Sequence, residues 1–271
     1  MKKLLVLTFS FLFLLCGCTK EEKCENPYRL KTYTSETTIA GSPQSSIRCD
    51  YFYDKSGQLY QWDAYWKGEL RNRHFPEYDE YGNVIRNTII NSDSSQTVEE
   101  HSLTLDEQHR ILEDVVYVDD SCQQISKYAY DKNGNQTMHQ YIRDPESEES
   151  SITCRIDTIY DEDGNPLRED IQWNQKLPTH TDYSYTGGKL DRKSNYDERN
   201  RLTDYTQYIY NETGLTVTLT TYAADGNLVE TVVNTYDEFG NLLSSESRNE
   251  TMDRNTKIIY TYELIESADN A

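Results

Sequence analysis

Four stretches of the chain read as though they could hold a cation. They are YDEYGNVI at Tyr78–Ile85, YDKNGNQT at Tyr130–Thr137, YDEDGNPL at Tyr160–Leu167 and YDEFGNLL at Tyr236–Leu243. Carboxylate and amide oxygens beside a glycine are the raw material of a calcium loop. An EF-hand loop, however, places oxygen ligands ahead of a glycine at position six and a glutamate at position twelve. In Asp161-Glu162-Asp163-Gly164 and Asp131-Lys132-Asn133-Gly134 the glycine comes at position four, and no glutamate follows where one is needed. No metal and no cofactor are expected, so the phrase calls for a backbone explanation.

The other reactive residues are dispersed. His74, His101, His109, His139 and His180 fall in separate segments, without HExxH, a nucleophile elbow or a phosphate-binding glycine loop. Adjacent carboxylates such as Glu99-Glu100 and Asp119-Asp120 carry little information in a chain with 47 acidic residues, and read as solvated strand ends. The aromatics are better organised. Tyr51/Tyr53, Tyr128/Tyr130, Tyr183/Tyr185, Tyr208/Tyr210 and Tyr260/Tyr262 are Tyr-x-Tyr pairs, each of which shares one face of a strand because side chains alternate with period two. Trp62, Trp66 and Trp173 lie in intervening segments. This ladder is either a packed inner face or an open platform for a sugar chain or a partner protein. On the second reading Tyr128, Tyr130, Tyr183, Tyr185, Tyr208, Tyr210, Trp62, Trp66 and Trp173 are the candidate contacts.

The elements that position these residues come from a repeat. Anchors at Tyr53, Tyr78, Leu105, Tyr130, Tyr160, Tyr185, Tyr210, Tyr236 and Tyr262 follow one another at 25, 27, 25, 30, 25, 25, 26 and 26 residues. The longest gap holds the acidic loop DPESEES at Asp144–Ser150. A weaker beat at Tyr65, Tyr117, Tyr141, Tyr196 and Tyr222 falls 11 or 12 residues after an anchor, so the elementary unit is one strand plus one tight turn. In the phrase at Tyr236, Asp237 suits the first position of a type I turn. Glu238 and Phe239 fill its centre, Gly240 takes the left-handed conformation of a bulged hairpin, and Asn241 starts the return strand.

The expected fold is all-β: about 16–18 antiparallel strands in meander order, built from these hairpins as a curled or twisted open sheet. AGSPQ at Ala40–Gln44 marks an early hairpin that makes Tyr28–Ile39 the first strand. Low hydropathy and high charge are also the signature of disorder, but turn glycines at strand-length spacing argue for a folded chain. Tyrosine outnumbers phenylalanine 23 to 6, which suits a sheet with a thin or partly wet interior.

Tyr-Asp-x-x-Gly-Asn-Leu at such intervals resembles the YD repeat of RHS-repeat proteins. The resemblance covers about residues 50–262, is specific at YDEYGNV, YDKNGNQ, YDEDGNPL, YAADGNL and YDEFGNLL, and degenerates at LDEQHRI, YTGGKL and YNETGL. It implies the strand–turn repeat and a curled sheet. Large RHS proteins enclose a toxin and end in a self-cleaving core followed by that toxin. This chain stops at Tyr262 plus a short polar tail, so the likeness gives little support for toxin delivery.

The first residues supply an expected address. Lys2 and Lys3 precede an apolar Leu4–Leu15, a signal-peptide length rather than a membrane span. Leu15-Cys16-Gly17-Cys18 resembles a bacterial lipobox, which implies lipidation of Cys18. The expected division is a signal peptide at 1–17, a lipidated tether at 18–27, one repeat domain at 28–262 and a polar tail at 263–271. Losing Lys2 and Lys3 takes 27 basic residues to 25 against 47 acids, a net charge of −22. Such a surface repels phosphate backbones, so nucleic acid is not an expected partner and the membrane is met through the lipid alone. Cys24, Cys49, Cys122 and Cys154 permit two disulfides in an exported chain, with proximity favouring Cys24–Cys49 and Cys122–Cys154.

Together these readings describe a non-enzymatic, lipid-anchored outer-membrane protein that binds a glycan or an envelope protein on a tyrosine-rich sheet. The alternatives are an envelope hydrolase with carboxylates gathered in the curl, and an accessory or immunity factor for RHS-type toxins.

Overall fold

A computed structural model describes residues 28–147 and 151–265. The expected signal peptide, the tether, Cys18 and Cys24 lie outside the described residues. The chain forms β1 (Tyr28–Ile39), β2 (Ser42–Tyr53), β3 (Leu59–Trp66), β4 (Glu69–Tyr78), β5 (Val84–Asn91) and β6 (Gln96–Leu105). It continues through β7 (Ile111–Val118), β8 (Ser121–Tyr130), β9 (Gln136–Arg143), β10 (Ile152–Tyr160), β11 (Pro166–Trp173) and β12 (Thr179–Thr186). It ends with β13 (Lys189–Tyr196), β14 (Leu202–Tyr210), β15 (Thr216–Ala223), β16 (Leu228–Tyr236), β17 (Leu242–Asn249) and β18 (Arg254–Leu264). The first strand and its hairpin fall where AGSPQ places them.

The expected open sheet is corrected. Each strand pairs antiparallel with the next, and β1 also pairs with β18, from Tyr28 opposite Leu264 to Ile39 opposite Arg254. The 18 strands therefore close into an up-and-down barrel. A sheet this wide with strand-length hairpins has two bare edges, and pairing them satisfies both rows of backbone groups.

Alternate turns lie at opposite rims. One rim carries seven Asp- or Asn-led five-residue loops, at 54–58, 79–83, 106–110, 131–135, 161–165, 211–215 and 237–241, together with the Gly187-Gly188 turn. The weaker repeat beat belongs to the other rim, where Tyr196 and Tyr222 precede their own turns.

The turn chemistry is the expected one. Gly240 has φ 84°, and its N–H donates to the Asp237 carbonyl at 3.2 Å. Oδ1 of Asp237 accepts the N–H groups of Phe239 and Asn241 at 2.9 and 2.8 Å, while Oδ2 accepts the Asn241 amide at 2.8 Å. Asn83, Asn135 and Asn165 repeat that amide bond to Asp79, Asp131 and Asp161 at 2.9 Å. The leading carboxylates Asp131 and Asp161 thus tie their own loops together.

In a single-layer closed sheet, curvature alone distinguishes the faces: it crowds inward side chains and splays outward ones. Along β18, Thr256, Ile258, Tyr260 and Tyr262 are shielded, whereas Asn255, Lys257, Ile259 and Thr261 are exposed. Following the register round the ring puts the tyrosine ladder on the shielded, inner face. The interior is not an oily core. Among the described residues the buried hydrophobic side chains are Cys49 and Cys154, beside buried polar groups such as Asn87, Ser126 and Thr181.

Candidate functional site: the inner face of the barrel

The anchor tyrosines meet a backbone need before any ligand could. Hydroxyls of Tyr53, Tyr130, Tyr160, Tyr185, Tyr210, Tyr236 and Tyr262 donate to the carbonyls of Leu30, Ile111, Gln136, Pro166, Leu190, Thr216 and Leu242, all at 2.8–2.9 Å. Each bond joins two strands at the rim where no turn connects them. Turn and hydroxyl alternate at these seven anchors, and at Leu105 the substitution removes the hydroxyl. Of the proposed contact residues, Tyr130, Tyr185 and Tyr210 are therefore structural staples. Arg110 and Lys189 lie over the rings of Tyr130 and Tyr210 at 4.4 and 5.3 Å.

The others line the wall away from that rim. Trp62 stacks on His74 with centroids 4.3 Å apart, and Tyr128 stacks on His139 at 4.8 Å. Trp173 meets Tyr141 edge-on at 5.9 Å. Trp66 and Trp173 stand at the far ends of β3 and β11, 37% and 43% exposed. Tyr183 donates to Glu169 at 2.6 Å; burial, then the hydrogen bond to this carboxylate, pushes its phenol far up. Tyr208 is half-buried beside Tyr210, and burial raises its pKa as well.

Between the aromatics runs a belt of strand-to-strand polar bonds. Thr181 donates to Asn195 at 2.8 Å, Asn195 to Asp204 at 2.6 Å, and Ser247 to Glu230 at 2.6 Å, while the Thr206 and Thr221 hydroxyls are hydrogen-bonded to each other at 2.8 Å. On the opposite arc, Asn87 Nδ2 lies 3.2 Å from His74 Nδ1 and 2.9 Å from Glu99 Oε2. His101 Nδ1 lies 3.0 Å from Asp114. Burial lowers the His74 pKa to about 4, so its ring is the neutral partner in the Trp62 stack. At His101 burial opposes the charge, but the bond to Asp114 and the charges of Asp114 and Glu99 prevail and raise its pKa.

Register gives His74 its polar partners, while the five histidines remain spread round the ring. His74 and Asn87 straddle the Tyr81 turn, Asn87 pairs with Pro76, and Glu99 pairs with Asn87. Their spacing of 12 to 13 residues equals one strand plus one turn, the signal that could have joined them.

Among the described residues Cys49, Cys122 and Cys154 form no disulfide with one another, contrary to the Cys122–Cys154 pairing that proximity favoured. The two lie two strands apart and roughly four residues out of step, on the order of 15 Å, against the ~7 Å limit for a disulfide. Burial raises the Cys49 thiol to about 11. Among the described residues no three His, Cys, Asp or Glu side chains are grouped to hold a metal.

No protein-family model matches the chain, and no curated protein matches it in sequence. Solved structures align weakly. A crystal structure of TcdB2-TccC3-Cdc42 aligns over 81% of this chain at 13% identity and TM-score 0.37, and the chain spans only 15% of that protein's length. A porin-like protein from Bacteroides vulgatus aligns over 87% of this chain and 99% of its own, at 10% identity and TM-score 0.37. One from Bacteroides uniformis aligns over 86% and 96%, at 11% identity and TM-score 0.31. Likenesses this weak carry no functional inference.

Proposed function

We propose that this chain is a non-enzymatic cell-envelope protein that binds a glycan chain against the aromatic inner wall of its barrel. The observation that carries the reading is a closed ring whose wall alternates stacked aromatics (Trp62/His74, Tyr128/His139) with hydrogen-bonding groups (Glu169, Asn195, Asp204). A pyranose offers a flat C–H face to such rings and hydroxyls to such polar groups. Attachment to the outer membrane through a lipid on Cys18 belongs to the same reading. It is tested by mass spectrometry of the native N-terminus, with C18S as the control.

The outer wall is built for water. Glu113, Lys127, Arg155, Asp157, Arg168 and Asp170 stand within its strands, and each Arg or Lys at a bilayer midplane would cost about 2–4 kcal/mol. These charges support a barrel that does not cross the bilayer.

All three tryptophans lie on the inner face, so their emission reports on the interior. An envelope or host glycan that binds in the barrel should change that emission, and W62A should weaken it. Glycan arrays and envelope pull-downs that both came back empty would sink the proposal. The hydrolase reading has one specific support, the His101–Asp114 pair with Glu99 acting on the same histidine. Glycan cleavage that is abolished in D114N would favour it.

A further inference from the structure

The outer face is laced with guanidinium–carboxylate pairs, and most of them are closed. Arg155 meets Asp157 at 2.7 Å, Arg168 meets Asp170 at 2.9 Å and Arg248 meets Glu250 at 2.9 Å. Arg86 on β5 is different. It stands 3.9 Å from Glu77 on β4 and 3.9 Å from Glu100 on β6, beyond hydrogen-bond reach of either, and its buried Nε has no partner. A guanidinium held between two carboxylates without bonding to them keeps its donors, and leaves both carboxylates able to accept.

This arginine lies in a shallow groove of about 580 Å³, lined by Glu77, Ile85, Arg86, Glu100, Ser102 and Tyr117, with His101, which bonds to Asp114, at its edge. Ile85 is pushed out by the bulge that skips it between Val84 and Arg86, and is 38% exposed. Ile85 and Tyr117 form an apolar floor. Arg86 offers donors, Glu77 and Glu100 offer acceptors, and the Ser102 hydroxyl can do either.

We infer that this groove is a second ligand site, on the face opposite the tyrosine ladder, and that it takes a neutral sugar residue with neighbouring hydroxyls. A vicinal diol can accept from Arg86 through one oxygen while donating to Glu77 or Glu100 through the other, and its C–H face covers Tyr117. Glu77 and Glu100 against Arg86 leave these three side chains with a net charge of −1, which disfavours uronic acids and phosphorylated sugars. The inference is independent of the glycan proposed for the interior.

The test titrates the purified full-length protein with neutral gluco-, manno- and galacto-oligosaccharides and with oligogalacturonate. Calorimetry reads affinity, and tryptophan emission reads the interior. At least one neutral oligosaccharide should bind with unchanged emission, and oligogalacturonate should not compete. Arg86→Ala should weaken binding about tenfold or more, the scale of a charge-assisted hydrogen bond. Arg86→Lys keeps the charge between the two glutamates and removes the fork, so a loss there cannot be blamed on misfolding. Lys257→Ala, elsewhere on the outer face, should bind normally. Failure of every neutral sugar to bind would overturn the inference. So would binding that both Arg86 variants leave intact, and an emission change surviving in those variants would assign the ligand to the interior instead.

Discussion

The β16–β17 hairpin and the β1–β18 seam do the same job by different means. In the hairpin, Asp237 and Gly240 bring the strands together within five residues. At the seam no turn exists, and the partners lie more than 200 residues apart. Loop-closure entropy grows as (3/2)RT ln n, so joining ends over two hundred residues rather than five costs about 3 kcal/mol more. The seam is correspondingly longer. Its ladder holds eleven register positions, against seven between β16 and β17. It adds the Tyr33–Tyr260 edge contact at 5.6 Å, the Thr37–Thr256 bond at 3.2 Å and the Arg29–Glu263 pair at 2.8 Å. Extra ladder length offsets the missing turn.

The largest effect should come from breaking that ladder. Ser35 faces Ile258 on β18 and Ile47 on β2, so its backbone is flanked on both sides. Ser35→Pro removes a ladder donor inside the sheet and should cost at least ~3 kcal/mol. Denaturant unfolding should show the loss, and small-angle scattering should show a ring that has opened. A ring that stays closed at unchanged stability would mean that the seam does not close it. Tyr33→Ala is the next step down. It removes the seam's inner aromatic contact and should cost about 2–3 kcal/mol, less than for a fully buried ring because Tyr33 is only half-buried.

The same contrast explains what the sequence made legible. Asp237, Gly240 and Asn241 state their turn within five residues, as Ala40-Gly41 does for the first hairpin, so strand number and order could be read locally. Closure could not, because nothing near Ser35 or Ile258 names its partner. Residues 28–39 and 254–264 look like any other strands, and even their length does not single them out, since Ser42–Tyr53 is as long. The candidate site was half legible. Alternation placed Tyr128 with Tyr130, but their different roles depend on which hydroxyl reaches a neighbouring carbonyl. The Arg86 groove was hidden because Glu77, Arg86 and Glu100 meet only after two hairpins fold.

Hydroxyl staples allow a finer test of hairpin against seam. Tyr210→Phe keeps the ring and removes the bond to the Leu190 carbonyl, so about 1 kcal/mol should be lost in denaturant unfolding. Tyr262→Phe, beside the seam, should lose about the same, since its bond to Leu242 lies within β17–β18. A much larger loss at Tyr262 would show that the staples help to close the ring.

Acid should separate the two regions as well. The amide of Asn165 and the guanidinium of Arg201 hold the carboxyls of Asp161 and Asp197 below their ordinary 3.8, the latter at about 2. A pKa lowered by folding contributes stability that is complete above the unfolded value and fades as pH falls through the folded one. The turns should therefore weaken between about pH 4 and pH 2, and pH-dependent hydrogen exchange should show the 161–165 and 197–201 loops opening before the backbone of β1 and β18. Simultaneous opening would mean that the turns and the seam form one cooperative unit.

The smallest effect should come from the outer ion pairs. Lys257 pairs with Glu246 next to the seam, both side chains more than half exposed, and Lys127 pairs with Glu113 inside a hairpin-linked stretch at 2.8 Å. Water and salt screen such pairs, so each Lys→Ala change should cost roughly 0–1 kcal/mol and less as salt rises. If seam and hairpins differ only in how backbone and inner face join the strands, Lys257→Ala and Lys127→Ala should be equal within error. A clear excess at Lys257 would assign part of the closure to outer-face charge, and the length of the β1–β18 ladder would no longer be a sufficient reason for the ring.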